Sequence, residues 1–492
     1  MSSSWLSLYS GEGDPSLSRE GPFGGLVTRA EAFRVMESGP RFDLIVFGCG
    51  LSGVSVAREA ALKGAQVLLI EPGYPGEGAC AWRESLVREL IRSPWSLVRS
   101  SPSLRHVMSS LAPHIATART SYLSEHRGLG ARLALRGLRS IASSLRTSGI
   151  HADIPDLDER LLIRELALAA RQEGVFVMGA TTAGYVERDV ESGTFRVAVR
   201  DLLGDEQVVV RGGGIFVDPS FSQPLASRIG TPITKLSKAI RPHVTVVYSV
   251  EGSGDVGRVR HFQLSQGAAG TVCELQPGVV EVTLFDVGEL AGCDMVSSAI
   301  PQLCEAAGYI VREEVSRRRV GSTYASSVSV ENRRGILLPC ESAPWKILRV
   351  VQMTLAYIES DGDSRRAPRA LPGEWRGTER EEFVERAGRS GLSEAVIATI
   401  IERWQGRVRY LTDMERGLEE VCPGVLRGEI ALAVVSDQVS SLEDLLFGSL
   451  ALHTVPGWRG LVTPIAEALG ETGAVGAHGL DVERVFAVMS VG

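Results

Sequence analysis

Residues 42–71 read FDLIVFGCGLSGVSVAREAALKGAQVLLIE and decide the fold of the chain around them. Asp43–Gly48 is apolar after its first residue, which is typical of a strand that is buried on both faces. Val54–Gly64 has the spacing of an amphipathic helix. Gln66–Glu71 contains a second apolar run, which is the length of a short strand. Two short buried strands joined by a helix predict a parallel βαβ unit.

Three glycines, Gly48, Gly50 and Gly53, stand between the first strand and the body of the helix. The first permits a tight turn, the second lets the backbone approach a pyrophosphate at the positive end of the helix, and the third lets helix and strand pack closely. Glu71 ends the second strand, where a carboxylate accepts hydrogen bonds from ribose hydroxyls and disfavours a 2′-phosphate. This order of features predicts a dinucleotide site.

The position of the unit near the start of a long, interrupted chain favours FAD over NAD as the dinucleotide. The alternative is a Rossmann remnant that binds no nucleotide. The residues expected to contact the adenosine diphosphate half of FAD are Gly48, Gly50, Leu51, Ser52, Gly53, Glu71 and Pro72.

The composition indicates a protein of two or three domains, because 492 residues of which 44% are hydrophobic exceed what one core accommodates. The formal charge of −7 argues against nucleic acid as a partner. The seven cysteines include no CxxC pair, which is typical of reduced thiols, and the eight histidines form no metal-binding array, so we expect no metal. The start lacks the basic and apolar regions of a signal peptide, and no apolar run is long enough to span a bilayer, so we expect a cytoplasmic protein.

The predicted secondary structure of the rest of the chain changes from helices to strands and then back to helices. Residues 88–148 read as helices interrupted by prolines, and Asp156–Gly174 reads as one clear helix that is followed by short strands. Strands recur between residues 243 and 287. After a polar stretch at 359–373 the pattern is helical.

From residue 29 to residue 452 the chain resembles the FAD-dependent glycerol-3-phosphate dehydrogenases, within the amino-acid-oxidase-like flavoproteins. RFDLIVFGCGLSG at 41–53 is similar to the family's DVLVIGGGxTG, and Gly78–Arg92 lies without a gap over its GTSSRSTKLIHGGLRYL. VCPGVLRGEIALAVVSDQVSSLEDLLFGSLAL at 421–452 resembles its accessory helical domain.

The resemblance implies an α/β fold: an FAD-binding Rossmann-like domain with an inserted β-sheet substrate domain and a C-terminal helical accessory domain. The divisions that it implies are an N-terminal extension with a short helix (1–40), a discontinuous FAD-binding domain (41–235 and 335–360), a substrate or cap domain of β-sheet (236–334) and a C-terminal helical domain (374–492).

Positions that lie near the flavin in the family carry different residues here. The Arg and His of its KLIHGG motif are replaced by Trp82 and Arg88, and its paired glycines by Glu89 and Leu90. Its NATG turn becomes Val-Asp-Pro-Ser at 217–220. Side chains in place of glycines crowd the flavin, so we expect either a shifted flavin or a remodelled pocket.

The arginine that binds the substrate phosphate in the family is also replaced. The family's AGxRPL, whose Arg holds that phosphate, falls on residues 325–329, which contain no Arg. A phosphomonoester needs fixed cationic donors, ideally a bidentate Arg. We therefore expect a substrate other than glycerol 3-phosphate.

Arg88, Arg241 and Lys346 occupy aligned functional positions and are the expected catalytic residues, although such positions give location and not role. The alternative for Arg88 is a solvated basic helix face, and for Arg241 an ordinary surface strand residue. Trp82 is counted with the cofactor residues, as a ring that stacks on the isoalloxazine or packs in the core.

The leading hypothesis is an FAD-dependent oxidoreductase that transfers a hydride from a non-phosphorylated alcohol or amine to the flavin, which quinone or oxygen then reoxidises. A specialised biosynthetic oxidase is a variant of it. The rival hypothesis is a degenerate flavoprotein-like scaffold or partner subunit without redox turnover. A peripheral contact with the inner membrane or with quinone is left open, as is the oligomeric state.

Replacing Gly50 with valine should abolish FAD binding, because the branched side chain fills the space that the pyrophosphate needs. The visible absorption of the purified variant measures the bound flavin. A variant that stays as yellow as the wild type contradicts this placement of the site.

Overall fold

The computed structural model describes most of the chain, in segments. They are residues 29–76, 115–123, 147–148, 151–204, 206–218, 221, 240–252, 259–263, 269–285, 300–305, 307–323, 329–333, 335–340, 347–357, 371–414, 416–473, 475, 477–483 and 485–486.

A mainly parallel sheet, which we call the parallel sheet, forms the first half of the fold. Its elements in chain order are helix α1 (Arg29–Glu37), β1 (Arg41–Phe47), α2 (Leu51–Leu62), β2 (Val67–Ile70), α3 (Glu159–Gln172), β6 (Phe176–Met178), β7 (Thr181–Arg188), β8 (Phe195–Asp201), β9 (Gln207–Val217), β15 (Ser329–Arg333), β16 (Ile336–Cys340) and α4 (Ile347–Leu355). The strand order is β15-β16-β9-β1-β2-β6, with β7 and β8 continuing from β9 as an antiparallel meander.

The strand order changes direction at β1. This strand pairs in parallel with β2, with Phe47 opposite Ile70, and on its other side with β9, with Phe47 opposite Val217. Chain connections therefore leave β1 in both directions and open a crevice at its carboxyl end. Ligands of open α/β sheets bind at such a point.

Both faces of the parallel sheet are covered, which explains why β2 and residues 44–47 of β1 are apolar throughout. One face packs on α2, α3 and α4, with Leu44, Val46 and Leu69 in the shared core. The opposite face packs on α1 and on the meander, with Ile45 and Ile70 in that core. The expected α/β class is confirmed.

A second, mixed sheet forms the other half of the N-terminal part. Its strands are β3 (Ala116–Leu123), β4 (Thr147–Ser148), β5 (His151–Leu157), β10 (Ile240–Glu251), β11 (Val259–Gln263), β12 (Ala269–Gln276), β13 (Val279–Phe285) and β14 (Ile310–Thr323), in the order β14-β10-β13-β12-β11-β3-β5-β4. Residues 300–305 are helical, and the segment that continues to Tyr309 packs on the apolar side chains of β10, β12 and β13.

The expectation that residues 88–148 are helical is wrong for two segments. Residues 116–123 form β3, which pairs with β5 and, in parallel, with β11, and residues 147–148 form β4. These pairings join residues up to 138 positions apart, so a local pattern does not reveal them. The helix that the sequence predicts at 156–174 begins at Glu159, because residues 156 and 157 end β5.

Each of the two sheets contains strands from both sides of the domain boundaries that the resemblance implies. Strands β3, β4 and β5 lie inside the stretch 41–235 but pair in the second sheet. Strand β15 lies inside the stretch 236–334 but pairs with β16 in the first sheet. Strand pairing depends on contacts between distant segments, which composition along the chain does not resolve.

The C-terminal region is largely helical, as expected. It contains α5 (Glu379–Arg389), α6 (Glu394–Trp404), a 3₁₀ segment (Gln405–Asp413), a hairpin of β17 (Glu420–Cys422) and β18 (Val425–Leu426), α7 (Arg427–Ser436), a π-helical segment (Asp444–Ser449) and α8 (Val462–Glu471). Its large core includes the fully buried Trp404 and Trp458.

Four buried charges, which we call the ionic hub, join this region to α3: Arg164, Glu165, Arg407 and Asp437. The Nε of Arg407 lies 2.7 Å from Oε1 of Glu165, and its Nη1 lies 2.8 Å from Oδ1 of Asp437. Arg164 donates to the other oxygen of Asp437. Both guanidiniums lie 4.9 Å from the ring centre of Trp404. The hub therefore fixes the C-terminal region on a helix of the parallel-sheet unit.

The two carboxylates of the hub respond differently to their surroundings. Burial alone would raise the pKa of Asp437, but Arg164, Arg407 and the Ser449 hydroxyl outweigh it and lower the pKa to about 2. Burial raises the pKa of Glu165, although Arg407 and the N–H of Gly373 both favour its charged form. Asp437 is therefore the carboxylate that carries the hub's negative charge most firmly.

Acid should weaken the attachment of the C-terminal region. Because the pKa of Asp437 is lower folded than its usual unfolded value near 3.9, its contribution to stability is present above about pH 4 and is lost as the pH falls through about 2. The contribution is on the order of 2 kcal/mol at neutral pH. Urea unfolding followed by tryptophan fluorescence from pH 2 to pH 6 measures it.

In the same experiment Asp437→Asn should flatten the pH profile. Asp413→Asn, which changes an exposed carboxylate of the same region, should leave the profile unchanged. A wild-type profile that coincides with that of Asp437→Asn would contradict the role given to this carboxylate.

Candidate functional site

The glycine loop lies at the carboxyl end of β1, at the crevice where the strand order changes. Gly48 has φ of +95°, which favours glycine. A Cβ on Gly53 would lie 2.1 Å from the carbonyl oxygen of Gly48, and a Cβ on Gly48 would lie 2.8 Å from the Cβ of Asp218. No side chain fits at either position, so helix α2 can start directly against the strand end.

Helix α2 presents N–H groups to the crevice. Its N-cap is Gly50 in an extended conformation, no side chain caps it, and its first turn carries no acidic residue. Among the residues that the structure describes, none accepts a hydrogen bond from the N–H of Leu51 or Ser52. Together with the positive end of the helix dipole, these donors form a site for an anion such as a pyrophosphate.

Glu71 holds a fixed position beside this loop. Its Oε2 accepts the N–H of Cys49 at 2.6 Å, and its Oε1 accepts the N–H of Gly73 at 3.1 Å. The carboxylate is therefore oriented across the end of β2 toward the loop. This is the place at which a ribose carboxylate stands in dinucleotide-binding folds.

Asp218 lies in the turn at 217–220 that the sequence analysis compared with the family, but its contact with the glycine loop was not predicted. It follows β9 directly, is 2% exposed, and accepts the N–H of Gly53 in the first turn of α2. Its own N–H donates to the carbonyl oxygen of Phe47 at 2.7 Å. The signal that was available is an acidic residue at the end of an apolar strand, where carboxyl ends of parallel strands meet.

The loop cysteine stays a neutral thiol. Burial, followed by the negative charges of Glu71 and Asp218, raises the pKa of Cys49 well above its usual value. A protonated, buried thiol is a poor nucleophile. Its place in the loop therefore suits a small structural residue.

The structure brings together one part of the predicted site. Gly48, Gly50, Leu51, Ser52 and Gly53 line the crevice, Glu71 stands beside them, and Pro72 lies in the turn that follows. The other predicted residues lie elsewhere or outside the described residues, as follows.

Arg241 is in β10, opposite Ser322 of β14. Trp82, Arg88 and Lys346 lie outside the described residues. Helix α4, which begins at Ile347 directly after Lys346, packs on α2 through Val350 and Val351.

The described residues contain no group of three or more His, Cys, Asp or Glu that would hold a metal ion. Nor does that part of the chain contain a helix long and apolar enough to cross a membrane.

Comparisons with known proteins agree with this geometry. Residues 43–260, from β1 into β11, match the family described as FAD dependent oxidoreductase. A glycerol-3-phosphate dehydrogenase from Synechocystis sp. is 40% identical over 78 residues, which are 15% of this chain and 14% of that protein. The match thus spans only about a seventh of that relative's length.

One solved structure resembles almost the whole chain. The glycerol-3-phosphate dehydrogenase from Bacillus halodurans, complexed with FAD, has a TM-score of 0.64 and 14% identity, over 95% of this chain and 97% of that one. At this identity the likeness shows the fold. It confirms the expected α/β fold with a helical C-terminal region.

Replacing Gly53 with alanine should weaken both folding and nucleotide binding. The added Cβ forces α2 away from β1, at a cost of about 1–3 kcal/mol, and moves the N–H groups of Leu51 and Ser52. Thermal unfolding and titration with ADP measure the two effects.

Gly388→Ala is the matched control, because it adds the same methyl group to helix α5 with nothing within 4 Å. It should leave ADP binding unchanged and raise helix stability by at most about 1 kcal/mol. Equal ADP affinity of Gly53→Ala and wild type would show that the helix start is not the binding site.

Proposed function

We propose that the protein binds FAD and oxidises a small alcohol or amine that carries no phosphate group, because residues 43–260 match the family described as FAD dependent oxidoreductase. The observation that carries the proposal is the helix start at the crevice, with two N–H donors, no acidic residue in the first turn, and Glu71 beside it. When bound, FAD supplies the two-electron acceptor that amino-acid side chains lack.

The residues present fit the adenosine diphosphate half of this cofactor. The N–H groups of Leu51 and Ser52 are suited to bind the pyrophosphate, and the missing Cβ atoms at Gly48 and Gly53 let helix α2 start directly against the end of β1. The carboxylate of Glu71 is held where it accepts hydrogen bonds from ribose hydroxyls. Its negative charge disfavours a phosphate on that ribose.

The buried carboxylate of Asp218 shapes the same site. It accepts a hydrogen bond from the N–H of Gly53. The donors that remain for the pyrophosphate are therefore the N–H groups of Leu51 and Ser52. It also fixes the end of β9 against the start of α2. Asp218 thereby orients the helix end to which the diphosphate binds.

The substrate assignment is supported by a comparison of cationic residues with those of the family that the chain resembles. Residues 325–329 offer no Arg for a phosphate, whereas Arg88, Arg241 and Lys346 stand at aligned functional positions. We assign these three residues to the substrate pocket. A fixed positive charge there lowers the pKa of a substrate ammonium or hydroxyl group, which favours the deprotonated form that is ready for oxidation. Quinone or oxygen is the proposed final acceptor.

A partner subunit without redox turnover is the second candidate function. The observation that favours it comes from the sequence: Glu89 and Leu90 stand where the family that the chain resembles has paired glycines, and side chains there are expected to crowd the flavin. The two candidates differ in whether bound flavin is reduced by a substrate.

The visible spectrum of the purified protein tests the proposal. Flavin bands that bleach when small alcohols or amines are added without oxygen are the expected result. A yellow protein that no such compound bleaches supports the partner subunit instead. A colourless protein that takes up no added FAD contradicts both the cofactor and the reaction.

Glycerol 3-phosphate should not be a substrate, because the cation that holds its phosphate is missing from residues 325–329. The assay is flavin bleaching by glycerol 3-phosphate compared with glycerol and with simple amines. Turnover of glycerol 3-phosphate at ordinary enzymatic rates, about 1 s⁻¹ or more, would overturn the substrate assignment.

A further inference from the structure

Arg29, the first residue of α1, connects the N-terminal helix to the nucleotide site. Its Nη2 donates to the carbonyl oxygen of Ala180 at 3.0 Å and to Oδ1 of Asp201 at 2.6 Å, and its Nη1 donates to the carbonyl oxygen of Gly179. The side chain is about one quarter exposed. One guanidinium thus holds two successive carbonyls and a carboxylate.

The turn that Arg29 holds is a strained one. Ala180 has φ of +46°, in the left-handed region that residues with a Cβ rarely occupy. Its carbonyl oxygen also accepts the N–H of Leu202 at 2.9 Å. Strain of this kind persists only when the surroundings fix it, and here Arg29 supplies a charge-assisted part of that fixation.

The same turn holds the segment that carries Glu71. The N–H of Ala180 donates to the carbonyl oxygen of Gly73 at 3.0 Å, and the N–H of Thr181 donates to that of Glu71 at 3.0 Å. The N–H of Gly73 in turn donates to the Glu71 carboxylate, whose other oxygen meets the N–H of Cys49. Four successive hydrogen bonds therefore lead from Arg29, through this turn and Glu71, to the glycine loop.

We propose that Arg29 is a positioning residue of the nucleotide site, which acts through the turn at 179–181 to hold the Glu71 carboxylate against the ribose. The inference rests on the proposed function, because Glu71 has a ribose to bind only if the site takes a dinucleotide. Arginine is required, since its planar fork reaches three acceptors at once and the single ammonium of lysine does not.

A purely structural role for Arg29, as an anchor of α1, makes a different prediction. Helix α1 also packs through Ala32, Phe33 and Met36, which are buried in the core beneath the meander. Loss of an anchor lowers thermal stability without changing ligand affinity in the protein that remains folded. Loss of a positioning residue weakens ligands that contain the adenosine ribose, and does so only while Glu71 is present.

The experiment measures ADP affinity by calorimetry on the full chain freed of cofactor, well below the thermal midpoint. Arg29→Ala should weaken ADP binding about tenfold, which corresponds to 1.4 kcal/mol. Arg29→Lys should weaken it nearly as much. Arg34→Ala removes an exposed arginine from the same helix and should bind ADP as the wild type does.

A double-mutant cycle with Glu71→Gln identifies the path. If Arg29 acts through Glu71, Arg29→Ala should have little further effect in the Glu71→Gln background. Equal tenfold losses in both backgrounds, or unchanged ADP affinity with a lowered thermal midpoint, would overturn the inference.

The outcomes separate this inference from the proposed function. A wild-type protein that binds neither ADP nor FAD refutes the proposed function and, with it, the inference. A wild-type protein that binds both, with an Arg29→Ala variant that binds ADP equally well, refutes the inference alone. If Arg29→Ala does not fold, Arg29→Lys and its double variant with Glu71→Gln give the same test.

Discussion

The close contact between the start of α2 and the end of β1 is the constraint on which the rest of the structure depends. Gly53 lies so near the carbonyl oxygen of Gly48 that any Cβ would overlap it. This approach brings the N–H of Gly53 to Asp218 and leaves the N–H groups of Leu51 and Ser52 directed at the crevice. One steric condition thus sets the packing of helix on sheet, the meeting of three strand ends and the anion site.

The C-terminal region contacts the parallel-sheet unit both at α3 and at the turn that follows β2. The ionic hub attaches it to α3, and in its π-helical segment Gly448 lies so close to Tyr74 that a Cβ would be 2.8 Å from the tyrosine ring. Tyr74 is three residues beyond Glu71. The helical region therefore packs against the turn that follows Glu71. Because close-packed interiors transmit displacement, a shift of the π-helical segment also shifts this turn.

The parts of the fold that the sequence predicted are those that local chemistry specifies. Strand β2 and residues 44–47 of β1 are uniformly apolar because both faces of the sheet are covered, and the glycines recur at the spacing that a strand–turn–helix unit requires. The helical C-terminal pattern has the same local origin. The expectation failed at residues 116–123, whose strand is stabilised by partners in β5 and β11 and not by its own periodicity.

The sequence by itself determined the βαβ unit, the glycine loop and the carboxylate at the end of the second strand, since each depends on residues within about thirty positions of one another. Only the tertiary structure decided that Asp218 takes up the N–H of Gly53, 165 residues away, and that Arg29 holds a turn about 150 residues away. Contacts between residues so far apart produce no periodic pattern in the sequence from which they could be predicted. They exist because parallel strands gather their carboxyl ends at one edge, where residues distant in sequence share one crevice.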